Sequence, residues 1–427
     1  MQVGGRKVMV CSCEGSMPVD GKSLAKALGT EPPDQLYFQL CRSQVEAYRA
    51  AASSGEKLLV CCGQEAPLFN ELARVLDVEE PVCVDIRDRA GWSSEARRAI
   101  PKMAALIAEA VQEPEPTPSV TLTSEGAVLI IGRGQDVLDA ARKLGSERAV
   151  TCLLLPDHDA DLVPPPVRAL GLFRGTPRTA SGHLGAFRVK VGDLAGASPS
   201  ARGALSFDAA VGERELAADL VLDLTGAPPL LAPRDGWFAI DPGDALALER
   251  AVAEIGGLVG EFEKPRWIKV ESTLCAHSRN GQIACTRCLD ACPSGALKPV
   301  GDSAQVDAHV CGGHGSCASV CPTGAIRFDV PAGNGIHKRL GALLETHRAA
   351  GGGAPILLVH EEQGAESLSA LARFGDGLPA DVLPLSVPAV AALGPDFLLV
   401  ALAKGAAEIL VLADPRRHEH LSALRDG

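Results

Sequence analysis

Short apolar runs alternate with amphipathic stretches over the first 111 residues of the chain. The apolar runs predict four strands: Lys7–Cys11, Leu36–Leu40, Lys57–Cys61 and Val82–Ile86. Helical spacing predicts four helices: Asp20–Leu28, Ser43–Ala52, Ala66–Leu76 and Ser94–Val111. Asp20 suits the N-cap of the first helix, and Gly29 marks its end. Because strands and helices alternate, we expect a parallel α/β sheet in this part.

The pattern starts again after a proline-rich stretch at 112–119, which predicts a stiff linker. A strand, a glycine-containing turn and a helix follow, then further strands, as in a dinucleotide-binding unit. These elements are predicted at Ala127–Ile131, Asp136–Leu144, Val150–Leu155 and Asp219–Leu224. After a short helix near Lys338–Ala349, an α/β tail contains a strand at Ile409–Leu412. The predicted domains are an α/β domain at 1–111, a degenerate dinucleotide-binding-like domain at 121–262, a cysteine-rich domain at 265–330 and an α/β docking domain at 354–427.

Composition and charge narrow the function classes. The 427 residues are 46% apolar and 22% charged, which is typical of a globular, multidomain chain. The net charge of −12 argues against a nucleic-acid partner, since phosphate binding needs a basic surface. No apolar run is long enough to span a membrane. Fourteen cysteines without an export signal predict a cytoplasmic protein whose thiolates bind metal rather than form disulfides.

Half of the cysteines fall between positions 275 and 321, a segment that contains an internal repeat with an offset of 29 residues. The run from Cys288 to Leu297, with the sequence CLDACPSGAL, matches the run from Cys317 to Ile326, with the sequence CASVCPTGAI. Seven thiols exceed one tetrahedral site, and the spacing is poor for a zinc ribbon. The repeat therefore favours iron–sulfur clusters over zinc.

This segment resembles the bacterial two-cluster ferredoxins, whose ligands follow the pattern C-x2-C-x2-C-x3-C-P in duplicate. In that family the fourth cysteine of each half binds the other half's cluster. The resemblance implies a (βαβ)2 module that holds two 4Fe-4S clusters. It also implies two ligand sets: Cys275, Cys285, Cys288 and Cys321 for the first cluster, and Cys292, Cys311 and Cys317, with His314, for the second.

Each half departs from the ferredoxin pattern once. In the first half Gln282 stands where a cysteine is expected, and Cys275, seven residues earlier, could supply the ligand from a longer loop. In the second half His314 stands at the middle position. It either ligates the fourth iron or lies beside a 3Fe-4S cluster or a labile iron. We expect His277 and His309 to be surface or hydrogen-bonding residues rather than ligands.

Cysteines of the first domain lie at the carboxyl ends of three predicted strands. Cys11, Cys41 and the Cys61–Cys62 pair would therefore meet at one sheet edge and could share a metal centre. The alternative is simple burial of cysteines in strands. The segments at 62–69 and 85–88 resemble the flavoprotein component of heterodisulfide reductase, which binds an iron–sulfur cluster in this domain. That resemblance implies a third cluster with these ligands: Cys11, Cys13, Cys41 and Cys62. The family's cysteine after the Ile-Arg segment is absent here, around residues 90–92.

The middle domain and the tail carry weaker signals. Gly132 and Gly134 are the candidate flavin-binding residues, but Val137 replaces the third glycine and Asp136 would repel phosphate. The segment ending at Thr225 resembles the flavoproteins of the same reductase family, yet the damaged phosphate site argues against bound FAD. The tail is similar to the hydrogenase delta subunit without its cysteines, which favours docking over electron conduction.

Together these signals predict an electron-transfer protein or subunit that exchanges electrons with a partner oxidoreductase. The resemblances suggest a partner complex of the formate dehydrogenase or heterodisulfide reductase type. Two alternatives stay open: a flavoenzyme like heterodisulfide reductase, and a scaffold that assists assembly of a redox enzyme. No catalytic residue is assigned, because no nucleophile–base or paired-carboxylate pattern stands out.

Overall fold

The chain forms two compact units. The computed structural model describes residues 1–113, 115–145, 148–156, 162, 170–198, 205–277, 281–333 and 335–414. One residue of the predicted linker, parts of the predicted middle domain and the last residues of the predicted tail (415–427) lie outside the described residues. The first unit comprises Met1–Thr117, Thr273–Cys275 and Gly313–Gly427, and the second comprises Pro118–Ser272 and Ala276–Gly312.

The first unit begins with a four-stranded sheet in the order β1-β2-β3-β4. Its strands are β1 (Gln2–Val3), β2 (Arg6–Val10), β3 (Leu58–Cys61) and β4 (Val82–Cys83). Its helices are α1 (Gly21–Ala27), α2 (Val45–Ser53), α3 (Ala66–Val75) and α4 (Ile100–Ala110). Strands β2, β3 and β4 are parallel, as the alternating pattern predicts. Asp20 caps α1 by accepting from the backbone N–H groups of Lys22 and Ser23.

The prediction of a strand at Leu36–Leu40 is wrong. Only Tyr37 pairs, in an isolated parallel bridge with Cys11. The side-chain Oε1 of Gln44 accepts from the backbone N–H groups of Phe38, at 2.7 Å, and Gln39, at 2.8 Å. These donors are therefore used by a side chain instead of a neighbouring strand. The segment turns here and still brings Cys41 to the end of β2.

The first unit also contains a three-stranded parallel sheet in the order β19-β18-β20. The elements in this part are α8 (Ser316–Ser319), β17 (Ile326–Phe328), α9 (Gly335–Ala349), β18 (Ile356–His360), α10 (Glu362–Phe374), β19 (Val382–Ser386), α11 (Pro395–Ala403) and β20 (Glu408–Leu412). Helix α9 packs against α4, so that Leu106 and Leu343 belong to one hydrophobic core. The two α/β parts of the first unit are therefore joined by a continuous apolar interior rather than by a flexible tether.

The second unit is built on a seven-stranded sheet in the order β10-β9-β8-β7-β6-β11-β12. Its strands are β5 (Ser119–Ser124), β6 (Val128–Gly132), β7 (Val150–Leu154), β8 (Leu170–Ser181), β9 (Phe187–Gly196), β10 (Arg214–Ala218), β11 (Leu220–Leu224), β12 (Trp237–Ala239), β13 (Gly260–Pro265), β14 (Ile268–Val270), β15 (Leu297–Val300) and β16 (Ser303–Val306). Its helices are α5 (Gly134–Leu144), α6 (Ala245–Gly257) and α7 (Arg287–Asp290). Strands β8, β7, β6, β11 and β12 are mutually parallel, and β9 and β10 extend the sheet as antiparallel strands.

Both faces of this seven-stranded sheet are covered. Val128 and Ile130 of β6 face a core that includes α5 and α6, while Leu129 and Ile131 face a second core that includes Phe187. A strand buried on both sides is uniformly apolar, which explains the continuous apolar run at β6. Within the described ranges, no helix is both long and apolar enough to cross a membrane.

Candidate metal centres

The two halves of the cysteine repeat have the same local backbone structure. Helix α7 starts at Arg287 and α8 at Ser316, and β15 starts at Leu297 and β17 at Ile326. Each of these starts differs by the 29-residue offset of the sequence repeat. The duplication in sequence therefore corresponds to a duplication in structure.

The turn after each short helix is also repeated. Cys292 and Cys321 each follow the helix by two residues and accept, through their carbonyl oxygens, the backbone N–H of a glycine. The N···O distances are 3.3 Å for Gly295 and 3.4 Å for Gly324. The two glycines have φ angles of 63° and 65°, a backbone conformation that residues with a side chain rarely adopt. The Cys-Pro-x-Gly motif thus encodes one turn that holds a cysteine at a fixed position in each half.

A hydroxyl group lies beside the sulfur atom in each of these turns. Cys292 Sγ is 3.6 Å from Ser294 Oγ, and Cys321 Sγ is 3.8 Å from Thr323 Oγ1. Burial alone would raise the pKa of the Cys321 thiol, but hydrogen bonds from groups between Thr323 and Ile326 outweigh burial and lower the pKa. A lowered thiol pKa favours the thiolate, which is the form that binds metal.

The remaining cysteines of the repeat are mostly shielded from solvent. Cys288 lies in α7 and Cys317 in α8, and both are buried, as are Cys275 and Cys311 in loops. Cys285 is half-buried just before α7. Burial keeps water away from thiols that lie in loops and short helices, which suits cysteines that ligate a cluster.

The histidines of this region have different surroundings. His277 is buried, and its Nδ1 donates to the carbonyl oxygen of Cys285 at 2.8 Å. His309 stacks on His183 with ring centroids 4.8 Å apart. Both are thus engaged in structural contacts. His314 is half-buried, three residues before Cys317 in the second half.

Cysteines of the first domain line a single cavity of about 160 Å³. It lies at the carboxyl ends of β2 and β3, where parallel strands bring distant loops together. The cysteines in its wall are Cys11, Cys13, Cys41, Cys61 and Cys62. The four cysteines expected from the sequence therefore share one cavity, and Cys61 lines it as a fifth.

The loop after β2 is shaped to present two of these thiols. Cys13 and Glu14 have positive φ angles of 51° and 59°, and Gly15 continues at 73°. Cys11 Sγ accepts the backbone N–H of Cys13 at 3.4 Å and that of Leu40 at 3.5 Å. Non-glycine residues in this conformation are uncommon and are retained where the surrounding structure needs the turn. Backbone N–H groups directed at sulfur stabilise negative charge on it.

In the absence of metal, burial favours the protonated form of two thiols in the cavity, Cys41 and Cys62. Burial raises the pKa of Cys62 to about 11. Burial, followed by the charge of Glu65, also raises the pKa of Cys41. A bound cluster would replace these protons and supply the positive charge that the buried thiolates need.

Residues other than cysteine also line this cavity, and the sequence patterns did not single them out as part of a site. Arg87, Gln64 and Asp85 are among the polar ones. Their sequence signal is the resemblance of the segments at 62–69 and 85–88 to the heterodisulfide reductase flavoprotein, which assigns these three residues no role. In the described parts of the chain, no group of three or more His, Cys, Asp or Glu side chains is placed to hold a single metal ion. A cluster differs from a single ion because its ligands surround several metal and sulfide atoms.

The glycine turn of the second unit is closely packed. Gly132 ends β6 and Gly134 begins α5 with a φ of 60°. A methyl group on Gly132 would lie 2.8 Å from Cγ2 of Val137, which is fully buried. Val137 thus fills the space next to the turn, and Asp136 sits in the first turn of the helix. Both features are unfavourable for a bound pyrophosphate.

Comparison with known protein families identifies one region. Residues 283–325 match the family model of the 4Fe-4S dicluster domain. The match covers both halves of the 29-residue repeat and supports iron–sulfur electron transfer. No curated protein matches the chain.

Proposed function

We propose that this chain is an iron–sulfur electron-transfer protein or subunit that passes electrons through two ferredoxin-type clusters to or from a partner oxidoreductase. The observation that carries the proposal is the structural repeat within residues 283–325, which match the dicluster family model. In each half, the same turn holds the sulfur of the cysteine that precedes proline beside a hydroxyl group. Each cluster, when bound, accepts or donates one electron. The protein contributes ligands, hydrogen bonds to sulfur and shielding from water.

The proposed ligands follow the crossed pattern of two-cluster ferredoxins. They are Cys275, Cys285, Cys288 and Cys321 for the first cluster, and Cys292, Cys311 and Cys317 for the second. His314 is proposed as the remaining ligand of the second cluster. If His314 does not bind, that cluster is of the 3Fe-4S type or has a labile fourth iron. Neutral imidazole in place of thiolate would raise the cluster's potential.

We further propose a third cluster in the cavity of the first domain, with Cys11, Cys13, Cys41 and Cys62 as ligands. The shared cavity and the N–H groups directed at Cys11 Sγ support this assignment. With this site, the first domain would resemble the N-terminal part of the heterodisulfide reductase flavoprotein. We therefore also propose that the chain exchanges electrons with a complex of the heterodisulfide reductase or formate dehydrogenase type.

The second unit is proposed to be a dinucleotide-binding-like domain that no longer binds a dinucleotide. Its parallel strands follow the order typical of such domains, with β6 central and the crossover to β11 beside it. The packing of Val137 against Gly132 favours the electron-transfer function over the flavoenzyme alternative. Release of a yellow chromophore on acid denaturation would instead support the flavoenzyme.

If the fourth cysteine of each half ligates the other half's cluster, variants in different halves should lose the same EPR signal. In anaerobically purified full-length protein, Cys288→Ser and Cys321→Ser should abolish the same EPR component. Cys292→Ser and Cys317→Ser should abolish the other. Cys152→Ser is the matched control, because Cys152 is buried in β7 outside the repeat and should leave all components unchanged. Pairing of Cys288 with Cys292 instead would rule out crossed ligation, and the absence of any reducible cluster would overturn the proposed function.

A further inference from the structure

Arg87 directs its guanidinium group at one of the thiols in the N-terminal cavity. Its Nη1 donates to Cys13 Sγ at 3.4 Å. Its Nε donates to Asp88 Oδ1 at 2.7 Å, and its Nη2 donates to Gln64 Oε1 at 2.8 Å. All three nitrogen atoms of the guanidinium are thus engaged, and each has a different partner.

The surroundings of Arg87 fix this geometry. The guanidinium carbon lies 3.9 Å from the ring centroid of Trp92, so one face of the group is covered. Trp92 is itself held by a 3.0 Å hydrogen bond from its Nε1 to Ser16 Oγ. Asp88 is only 3% exposed. A planar cation held at its edges and on one face loses little freedom when it binds a charged group.

Arg87 also retains its charge under all conditions in which the protein is folded. A guanidinium does not lose its proton in proteins. The cavity therefore has a permanent positive charge in contact with a sulfur atom.

We infer that Arg87 raises the reduction potential of the proposed N-terminal cluster by donating a hydrogen bond to the Cys13 thiolate and placing a fixed positive charge beside it. The inference rests on the third cluster of the proposed function. When the cluster accepts one electron, its negative charge increases by one unit, no bond breaks and no proton leaves Arg87. A fixed cation stabilises the more negative, reduced state more strongly than the oxidised state. Arg87 is thus a positioning residue that sets how readily this centre accepts electrons.

Arg373 in α10 provides a matched comparison. Its Nη2 donates to the same Gln64 Oε1 at 3.0 Å and lies 3.6 Å from Asp88 Oδ2. It shares two partners with Arg87, but its side chain is 40% exposed and it does not line the cavity. Removal of Arg373 therefore removes one positive charge from the same network without removing a hydrogen bond to sulfur.

The test is a redox titration of anaerobic, full-length protein followed by EPR, with iron content measured on the same samples. The N-terminal component is defined as the signal that Cys62→Ser removes. Arg87→Gln should shift the midpoint potential of this component downward at unchanged iron content. Arg373→Gln should give a smaller shift, because water screens an exposed charge. The other components serve as internal controls and should keep their potentials.

Each outcome decides the inference. An unchanged potential in Arg87→Gln with full iron content, or an equal shift in Arg373→Gln, would overturn it. If Arg87→Gln loses the N-terminal iron, Arg87→Lys is the deciding variant. Lysine keeps the charge but cannot bridge three partners, so we expect a potential below that of the wild type. Because lysine keeps the charge, a wild-type potential in Arg87→Lys would overturn the part of the inference that assigns an effect to the hydrogen bond with Cys13. If the wild-type protein has no component that Cys62→Ser removes, the third cluster itself is wrong and the inference fails with it.

Discussion

The cysteine repeat and the N-terminal cavity differ in how their thiols are positioned: by local sequence in the repeat and by sheet topology in the cavity. In the cysteine-rich segment, neighbouring cysteines within each half (285, 288 and 292; 311, 317 and 321) lie three to six residues apart on four-residue helices, turns and loops. In the N-terminal cavity, the thiols come from three segments that are far apart in sequence (11–13, 41 and 61–62), and they meet because β2 and β3 are parallel strands in a well-packed sheet. We therefore expect the first arrangement to depend on short-range sequence and on bound metal, and the second to depend on the hydrophobic core of the sheet.

The largest expected difference is the response to iron removal. The segment from α7 to β17 should lose its structure when iron is chelated, because four-residue helices are not stable by themselves. The N-terminal sheet should remain, because fully buried side chains such as Tyr48 and Phe69 hold it together. Hydrogen exchange by mass spectrometry on holo and apo protein would measure this. Amides in α7 and α8 should exchange faster by about a thousandfold or more in the apo protein, and amides in β3 should change little. Equal loss of protection in both regions would contradict the comparison.

The next expected effect is selective loss of iron from the N-terminal site. Cys62→Ser should lower the iron content by about four atoms per chain and leave the ferredoxin-type clusters in place, since each 4Fe-4S cluster holds its own iron. Cys83→Ser is the matched control: Cys83 lies in the neighbouring strand β4, is half-buried and does not line the cavity. It should keep the full iron content. Equal losses in the two variants would mean that the cavity does not define the site.

The same contrast determines how much of the molecule can be predicted from sequence. The repeat was predictable because its turn chemistry is local: Cys-Pro-x-Gly forms the same turn in both halves, with glycine at the position of positive φ. The shared cavity of Cys11, Cys41 and Cys62 followed from a topological rule about strand ends, although the strand predicted at Leu36–Leu40 does not form. Cys41 still lines the cavity because the segment before it passes the edge of the sheet, which does not require that segment to form a strand.

Long-range contacts were not predictable in this way. The contact of Arg87 with Cys13 joins residues 74 positions apart, and no local pattern specifies it. The core shared by α4 and α9 joins segments that the composition pattern treats as separate domains. Strand β8 was missed because Gly175 and Pro177 interrupt its pattern, and its pairing with β9 shifts register at these places.

A smaller effect is expected on thiol reactivity in the iron-free protein. Burial raises the pKa of Cys62 to about 11, so the folded thiol has about 100-fold less thiolate near pH 8 than an ordinary cysteine. Because nucleophilicity rises with pKa, alkylation should be slower by only about tenfold relative to the urea-unfolded chain. The rate should keep rising with pH until about pH 11, where the thiol becomes mostly ionised. Mass spectrometry of iodoacetamide-treated apo protein measures this at each cysteine. Equal rates at Cys62 in folded and unfolded protein would mean that the cavity does not persist without metal.

The smallest effect concerns the hydroxyl groups beside the two repeat sulfurs. Ser294→Ala and Thr323→Val each remove a hydroxyl that lies 3.6 or 3.8 Å from a proposed ligand sulfur. Loss of a weak hydrogen bond to sulfur should lower the potential of the affected cluster slightly, by less than the shift in Arg87→Gln, because no charge is removed. Thr286→Val is the matched control, since its hydroxyl donates to Asp290 at 2.8 Å rather than to a sulfur. Because the two turns are structurally equivalent, the two shifts should be of similar size and should fall on different EPR components. Shifts of the same component in both variants would contradict two separate clusters with one repeat turn each.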